Sequence, residues 1–288
     1  MKKFTIVMVI IATVIIATGI GMMVFSGAFG AGGGAWSQAV DKLGNNGNIT
    51  EKTIEAPAST LKEIDISFIN ANIDVVEGGD KVTVTYPENS RYEYDITKSD
   101  GKISIKEHSL NKAWFLNIFN FNLKTRTITI QIPASVKLTT LNLNAVNGIM
   151  TLDSVSVEDT DIGTTNGNII IKSGVFNTVA IDSTNGSLES KDSVIKDLTV
   201  KTTNGSVRID KGDIGKITLN TVNGGVDAVG MAGKETDYSM DFSTVNGSVT
   251  INGKKVSSRG DYRSLTSGAR SIKVNTVNGG ISLETIQK

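Results

Sequence analysis

Cysteine is absent from this 288-residue chain, which rules out disulfides, thiolate metal sites and a cysteine nucleophile. Histidine is nearly absent. The single His108 excludes a multi-histidine metal centre and leaves little room for histidine-based acid–base catalysis. Neither sign of charge is in excess: 29 basic side chains balance 29 acidic ones, so the clustered positive surface that nucleic acid demands is not indicated. Proline is scarce, 3 residues against 30 glycines, which favours many tight turns over polyproline segments.

What the chain does have begins at the N-terminus. Lys2 and Lys3 precede an uncharged run from Phe4 to Phe25, 22 residues long, and about 20 suffice to cross a bilayer as a helix. Residues 1–25 therefore read as a transmembrane anchor, with the lysines cytoplasmic and the rest of the chain outside. A signal peptide cleaved to release a secreted protein is the competing reading, although its apolar region is normally only about 7–15 residues. Residues 26–48 are rich in glycine, alanine and asparagine and read as a flexible linker. The folded part is expected over 49–288.

Asn-Gly recurs through that part, at Asn147-Gly148, Asn166-Gly167, Asn185-Gly186, Asn204-Gly205, Asn223-Gly224, Asn246-Gly247 and Asn278-Gly279, with spacings of 19, 19, 19, 19, 23 and 32. A fixed period signals a repeat architecture. Four residues before each asparagine the side chain is apolar, as in Ile162, Ile181, Val200 and Leu219. Three after it the side chain is again apolar, as in Ile169, Leu188, Val207 and Val226. Two before it stands a small residue, most often threonine. Apolar and polar positions alternate with period two on both sides of the turn, as in half-buried strands. The segment Ile64–Val75 keeps these columns around Asn70, with Ala71 in place of glycine.

Asn-Gly between alternating strands is also the strongest short hairpin signal. A meander of hairpins, however, has no reason to hold asparagine, threonine and aliphatic residues in fixed columns. Stacking does, because like side chains then lie about 4.8 Å apart and asparagine amides satisfy one another. The expected fold is an all-β β-solenoid of roughly 19-residue repeats preceded by one transmembrane helix. The longer intervals after Asn223 and Asn246 are expected to bulge outward as loops.

The series TTNGNI, STNGSL, TTNGSV, TVNGGV, TVNGSV and TVNGGI, with ITIQIPASVKL (Ile128–Leu138) before it and SGARSIKVNTVNGGISL (Ser267–Leu283) closing it, resembles the bacterial DUF4097 family, often labelled adhesins. The resemblance covers about Ile49 to the C-terminus. It implies a β-solenoid of the bacterial envelope, in some relatives linked to envelope stress, and offers no catalytic motif, metal site or cofactor.

Candidate contacts lie in Lys112–Lys124, where Trp114, Phe115, Phe119 and Phe121 are flanked by lysines. Such a segment suits the bilayer interface or a protein partner, and would equally suit folding over an open strand edge. Threonines beside the turns (Thr164, Thr165, Thr202, Thr203) form an incomplete hydroxyl array, and alternate ones are expected to bond inside the corner. Asp161, Asp182, Asp227 and Asp241 point outward without sharing one column, the pattern of a solvated surface rather than a carboxylate site. Asn-Gly-Ser at Asn185, Asn204 and Asn246 fits the glycosylation pattern, but turn formation explains it. The reading is a non-catalytic binding or scaffolding module anchored in the cell membrane, with an envelope protein or the cell wall as partner. A carbohydrate-active β-helix enzyme and a purely structural spacer are the alternatives.

Overall fold

The computed structural model describes residues 50–88, 92–99, 101–109, 126–258, 260–264 and 268–286. The anchor and linker expected over 1–48 and the four aromatics from Trp114 to Phe121 lie outside the described residues. Among the described residues no helix is long and apolar enough to cross a membrane.

Five coils follow one another in chain order through the middle of the molecule. Each has a long strand before the Asn-Gly corner and a short one after it. They are β7 (Leu138–Asn147) with β8 (Met150–Asp153), β9 (Ser156–Asn166) with β10 (Ile169–Lys172), and β11 (Val175–Ser183) with β12 (Leu188–Lys191). Then come β13 (Val194–Asn204) with β14 (Val207–Asp210), and β15 (Asp213–Asn223) with β16 (Val226–Met231). The long strands form one parallel sheet, in which Leu143, Ile162, Ile181, Val200 and Leu219 stand in file. The short strands form the facing sheet, with Met150, Ile169, Leu188, Val207 and Val226 in file. The aliphatic columns fill the space between: Leu198, Val200, Val207 and Ile209 are at most 2% exposed. Burying each stabilises by roughly 1.5–3 kcal/mol before entropy is subtracted. Four hydroxyls in these coils (Thr160, Thr164, Ser183 and Ser190) are buried without a hydrogen-bond partner.

The sequence columns did not disclose the second corner. It is made by Ser154, Ser173, Asp192, Lys211 and Gly230, each seven residues after its asparagine and each left-handed, with φ between 49° and 65°. Four of the five are not glycine, so each carries a modest steric cost that the stack overrides.

Chain order breaks at both ends. β2 (Glu63–Glu77) is the first coil in sequence but the second in space: it lies between β7–β8 and a terminal coil made of β5 (Lys102–Ser109) and β6 (Arg126–Ile132). At the other end β21 (Arg270–Asn278) and β22 (Ile281–Thr285), last in sequence, slot between β15–β16 and the outermost coil, β17 (Tyr238–Thr244) with β18 (Val249–Ile251). Each end is then closed by chain running the opposite way. β3 (Val82–Glu88) and β4 (Tyr92–Ser99) lie antiparallel on β6 and β5, and β1 (Thr50–Ala56) lies antiparallel on β3. β19 (Lys254–Ser257) and β20 (Tyr262–Arg263) lie antiparallel on β18 and β17. Nine coils at about 4.8 Å give a body roughly 40 Å long. Of the two expected outward loops, the one after Asn223 is present: residues 234–237 are exposed and include a single 3-10 turn, Glu235–Asp237. The one after Asn246 is corrected: its extra residues build the closing strands β19 and β20, because an open parallel edge would leave a row of unpaired backbone groups.

Candidate functional site

The asparagine columns meet in one continuous ladder along a corner of the solenoid. Each Nδ2 donates to the Oδ1 of the coil below: Asn147 to Asn70, then Asn166, Asn185, Asn204, Asn223, Asn278 and finally Asn246, with separations of 2.5–2.9 Å. The expected turn ladder is therefore present, with Asn278 ahead of Asn246. Asn70 belongs to it, as the columns around Ile64–Val75 indicated.

Glycine follows these asparagines for a reason other than hairpin geometry. Of the ladder glycines only Gly148 has a left-handed φ, 139°. A Cβ on Gly167, Gly186 or Gly205 would stand 1.9–2.0 Å from the carbonyl oxygen of the glycine one coil below. Close coil-to-coil approach excludes any side chain there. Inside the corner four threonine hydroxyls donate to the glycine carbonyl of the coil below, Thr202 to Gly186, Thr221 to Gly205, Thr276 to Gly224 and Thr244 to Gly279, at 2.9–3.3 Å, whereas Thr164 and Ser183 in the same column have no hydrogen-bond partner.

Beside the ladder runs the residue preceding each asparagine. In the middle coils it is Thr165, Thr184 and Thr203. In the last three coils it is Val222, Val277 and Val245, which are 42%, 40% and 61% exposed. The valines that interrupt the hydroxyl array in sequence are thus gathered at one end as a short apolar stripe.

At the opposite end the terminal coil replaces the repeat chemistry with a buried ion pair. Register puts Arg126 in the glycine column, opposite Ala71. Arg126 Nη2 donates to Glu107 Oε1 and Oε2 at 2.8 and 3.1 Å, and their side chains are only 6% and 0% exposed. Arg126 Nε also donates to the Asn70 carbonyl, and the Ile69 N–H donates to Glu107. This pair clasps the two ends of the segment that carries Trp114, Phe115, Phe119 and Phe121. Sequence reasoning passed over both residues, and the only signal was that each lies at the border of the interrupting segment.

The family model for Toastrack DUF4097 matches residues 61–284. The chain belongs to the Toastrack DUF4097 family. Solved structures similar to this Toastrack chain include a "putative adhesin" from Bacteroides fragilis, at 14% identity and TM-score 0.48, covering 82% of this chain and 97% of that one. A "putative lipid binding protein" from Parabacteroides distasonis matches at 14% identity and TM-score 0.46, covering 84% and 98%. A "putative cell adhesion protein" from Clostridium sporogenes matches at 13% and 0.41, covering 83% and 100%. No curated protein matches the chain.

Elsewhere on the Toastrack surface the outward carboxylates are spent on neighbouring coils. Asp182 faces Lys201 at 4.0 Å, Asp227 pairs with Arg208, and Asp241 pairs with Arg263 and Lys273 at 3.3 and 3.5 Å. Asp161 stands between Asn142 and Ala180. Among the described residues no group of three or more acidic or histidine side chains is arranged to hold a metal ion. His108 is exposed and shares a hydrogen bond of 2.7 Å with Asp95.

Proposed function

We propose that this Toastrack chain is a non-catalytic binding or scaffolding module, held at the outer face of a bacterial cell membrane by residues 1–25. Its aromatic segment 112–124 is the part that contacts the bilayer interface. The observation that carries the reading is how close the start of the solenoid lies to the root of that segment. Thr50, to which the linker leads, pairs with Glu88. The neighbouring Pro87 carbonyl accepts from the Tyr94 hydroxyl, which in turn accepts from Arg126 Nη1 at 3.5 Å. Two strand spacings, roughly 10 Å, therefore separate the start of the solenoid from the root of the aromatic segment, at the same corner of the same end. Roots this close let a membrane anchor and the aromatic segment reach one surface, with the distal coils projecting away from it.

Membrane attachment through one helix and an aromatic segment with flanking lysines is physically coherent, because such segments settle at the headgroup level. The full chain reconstituted into anionic vesicles, with Trp36→Phe leaving Trp114 as sole reporter, tests the proposal. Blue-shifted emission quenched by lipid-borne quenchers is expected. Emission identical to that in denaturant, with no lipid quenching, overturns the membrane contact.

A further inference from the structure

Asn246 ends the amide ladder, and its chemical situation differs from that of every other ladder asparagine followed by glycine. The others are held on both sides, each Nδ2 donating and each Oδ1 accepting. Asn246 donates to Asn278 at 2.8 Å, and its Oδ1 accepts nothing among the described residues. The backbone differs as well. The N–H groups of Gly148, Gly205 and Gly224 donate to the asparagine carbonyl one coil further out, at 3.1–3.4 Å. Among the described residues Gly247 has no coil further out. The closing strands skirt this corner: they pair at Val249 with Ser257 and at Phe242 with Tyr262, and the Ser243 hydroxyl donates to Asp261. Val245, in the corner, is 61% exposed.

We propose that Asn246-Gly247 is a modification site, at which the folded protein deamidates spontaneously through a cyclic imide. The Gly247 nitrogen attacks Cγ of Asn246 and loses its proton to solvent. The bond from Cγ to the side-chain nitrogen breaks, and that nitrogen takes a proton from solvent and leaves as ammonia. Water then opens the five-membered imide at either carbonyl, leaving aspartate or isoaspartate at this position. Glycine presents the least hindered nitrogen for this attack. What restrains the reaction elsewhere in the ladder is the corner itself: the amide must rotate and the backbone must re-form, which breaks two side-chain hydrogen bonds and often the backbone hydrogen bond of the glycine nitrogen. At Asn246 one side-chain hydrogen bond and the bond of its own N–H to the Val277 carbonyl oppose it. The product puts an acidic oxygen where the Nδ2 donor faced Asn278, so two acceptors meet and the last corner loosens.

Asn252-Gly253 supplies an internal control a few residues away. Its Oδ1 accepts from the Thr285 N–H at 2.9 Å, and its Nδ2 donates to Glu235 at 3.0 Å. The test is to hold the full chain, folded, at mildly alkaline pH and to map aspartate and isoaspartate by peptide mass spectrometry over time. Conversion at Asn246 is expected to run about tenfold faster than at Asn204 and Asn223, a difference of roughly 1.4 kcal/mol in barrier. In denaturant the ladder sites should react at similar rates. Similar rates in the folded protein, or Asn252 reacting ahead of Asn246, overturn the proposal. In Asn246→Gln the fast phase should vanish with no other ladder site taking it up, and a fast phase that persists at another ladder site overturns it too.

Discussion

Between Leu138 and Met231 consecutive coils in sequence are neighbours in the stack, whereas at both ends the chain doubles back and tucks its own first or last coil one layer in. The middle is held by identity: aliphatic over aliphatic, asparagine over asparagine, glycine against glycine. The ends are held by exceptions, namely the Glu107–Arg126 pair, the antiparallel closing strands and Tyr238. A repeat can satisfy itself only where it has neighbours on both faces. Because β2 and β21–β22 are bonded on both sides, neither the first coil in sequence nor the last forms an end of the stack.

The largest expected effect breaks the middle. Val200→Asp places a charge in a column that is 1% exposed and should cost about 5 kcal/mol. Lys201→Asp, one residue on and outward, exchanges a 4.0 Å surface pair with Asp182 for two exposed carboxylates side by side and should cost no more than about 1 kcal/mol. Equal shifts of denaturation midpoint in the two variants would refute the division into inner and outer columns.

Next comes the end. Glu107→Ala strands the Arg126 guanidinium in a buried site and should cost roughly 3–5 kcal/mol, while the double change Glu107→Leu with Arg126→Met should recover most of it. Recovery by the double variant, read in urea titrations, separates an ion-pair requirement from a simple packing defect.

Coil spacing can be probed through glycine. Gly186→Ala drives a methyl to 1.9 Å from the Gly167 carbonyl and should cost about 3 kcal/mol. Ala71 already carries a methyl in this column of the second coil, so Ala71→Gly should change stability by no more than about 1 kcal/mol. A small effect at Gly186 would mean that the coils are further apart than the ladder requires.

Much of this was legible in the sequence because stacking copies one chemical environment from coil to coil. The columns around Asn166, Asn185 and Asn204 report inward and outward positions directly, and Asn70 was recovered from the same columns despite Ala71. Spatial order was not legible. TVNGSV around Asn246 and TVNGGI around Asn278 are interchangeable as columns, so nothing local says which lies outermost. The second corner escaped notice because its residues, Ser154, Ser173, Asp192 and Lys211, share a backbone angle rather than a side-chain type. Asn252-Gly253 shows the other use of the dipeptide: both residues have positive φ, 47° and 74°, and they join β18 to β19 as a two-residue hairpin. Lys255, three residues on, breaks the aliphatic column and could have set it apart. The Glu107–Arg126 contact joins residues 19 apart across the interrupting segment, and no periodicity announces it.

The smallest expected effect concerns pH and again separates end from middle. Tyr238 begins the outermost coil, is fully buried, donates its hydroxyl to the Ala232 carbonyl and lies under the Arg270 guanidinium. Burial raises its pKa above the ordinary tyrosine value, and this outweighs the opposing pull of Arg270. The folded protein therefore keeps a proton that the unfolded chain gives up near pH 10. Stability should be unaffected by this group below that pH and should fall as pH rises through the unfolded value towards the higher folded one. Tyr238→Phe removes the hydrogen bond to Ala232 and should lower stability at neutral pH, yet flatten the alkaline decline. Thermal midpoints measured from neutral to strongly alkaline pH decide the point. If both proteins lose stability with the same slope, the alkaline sensitivity belongs to other groups and the outermost coil is not the part that ionisation opens.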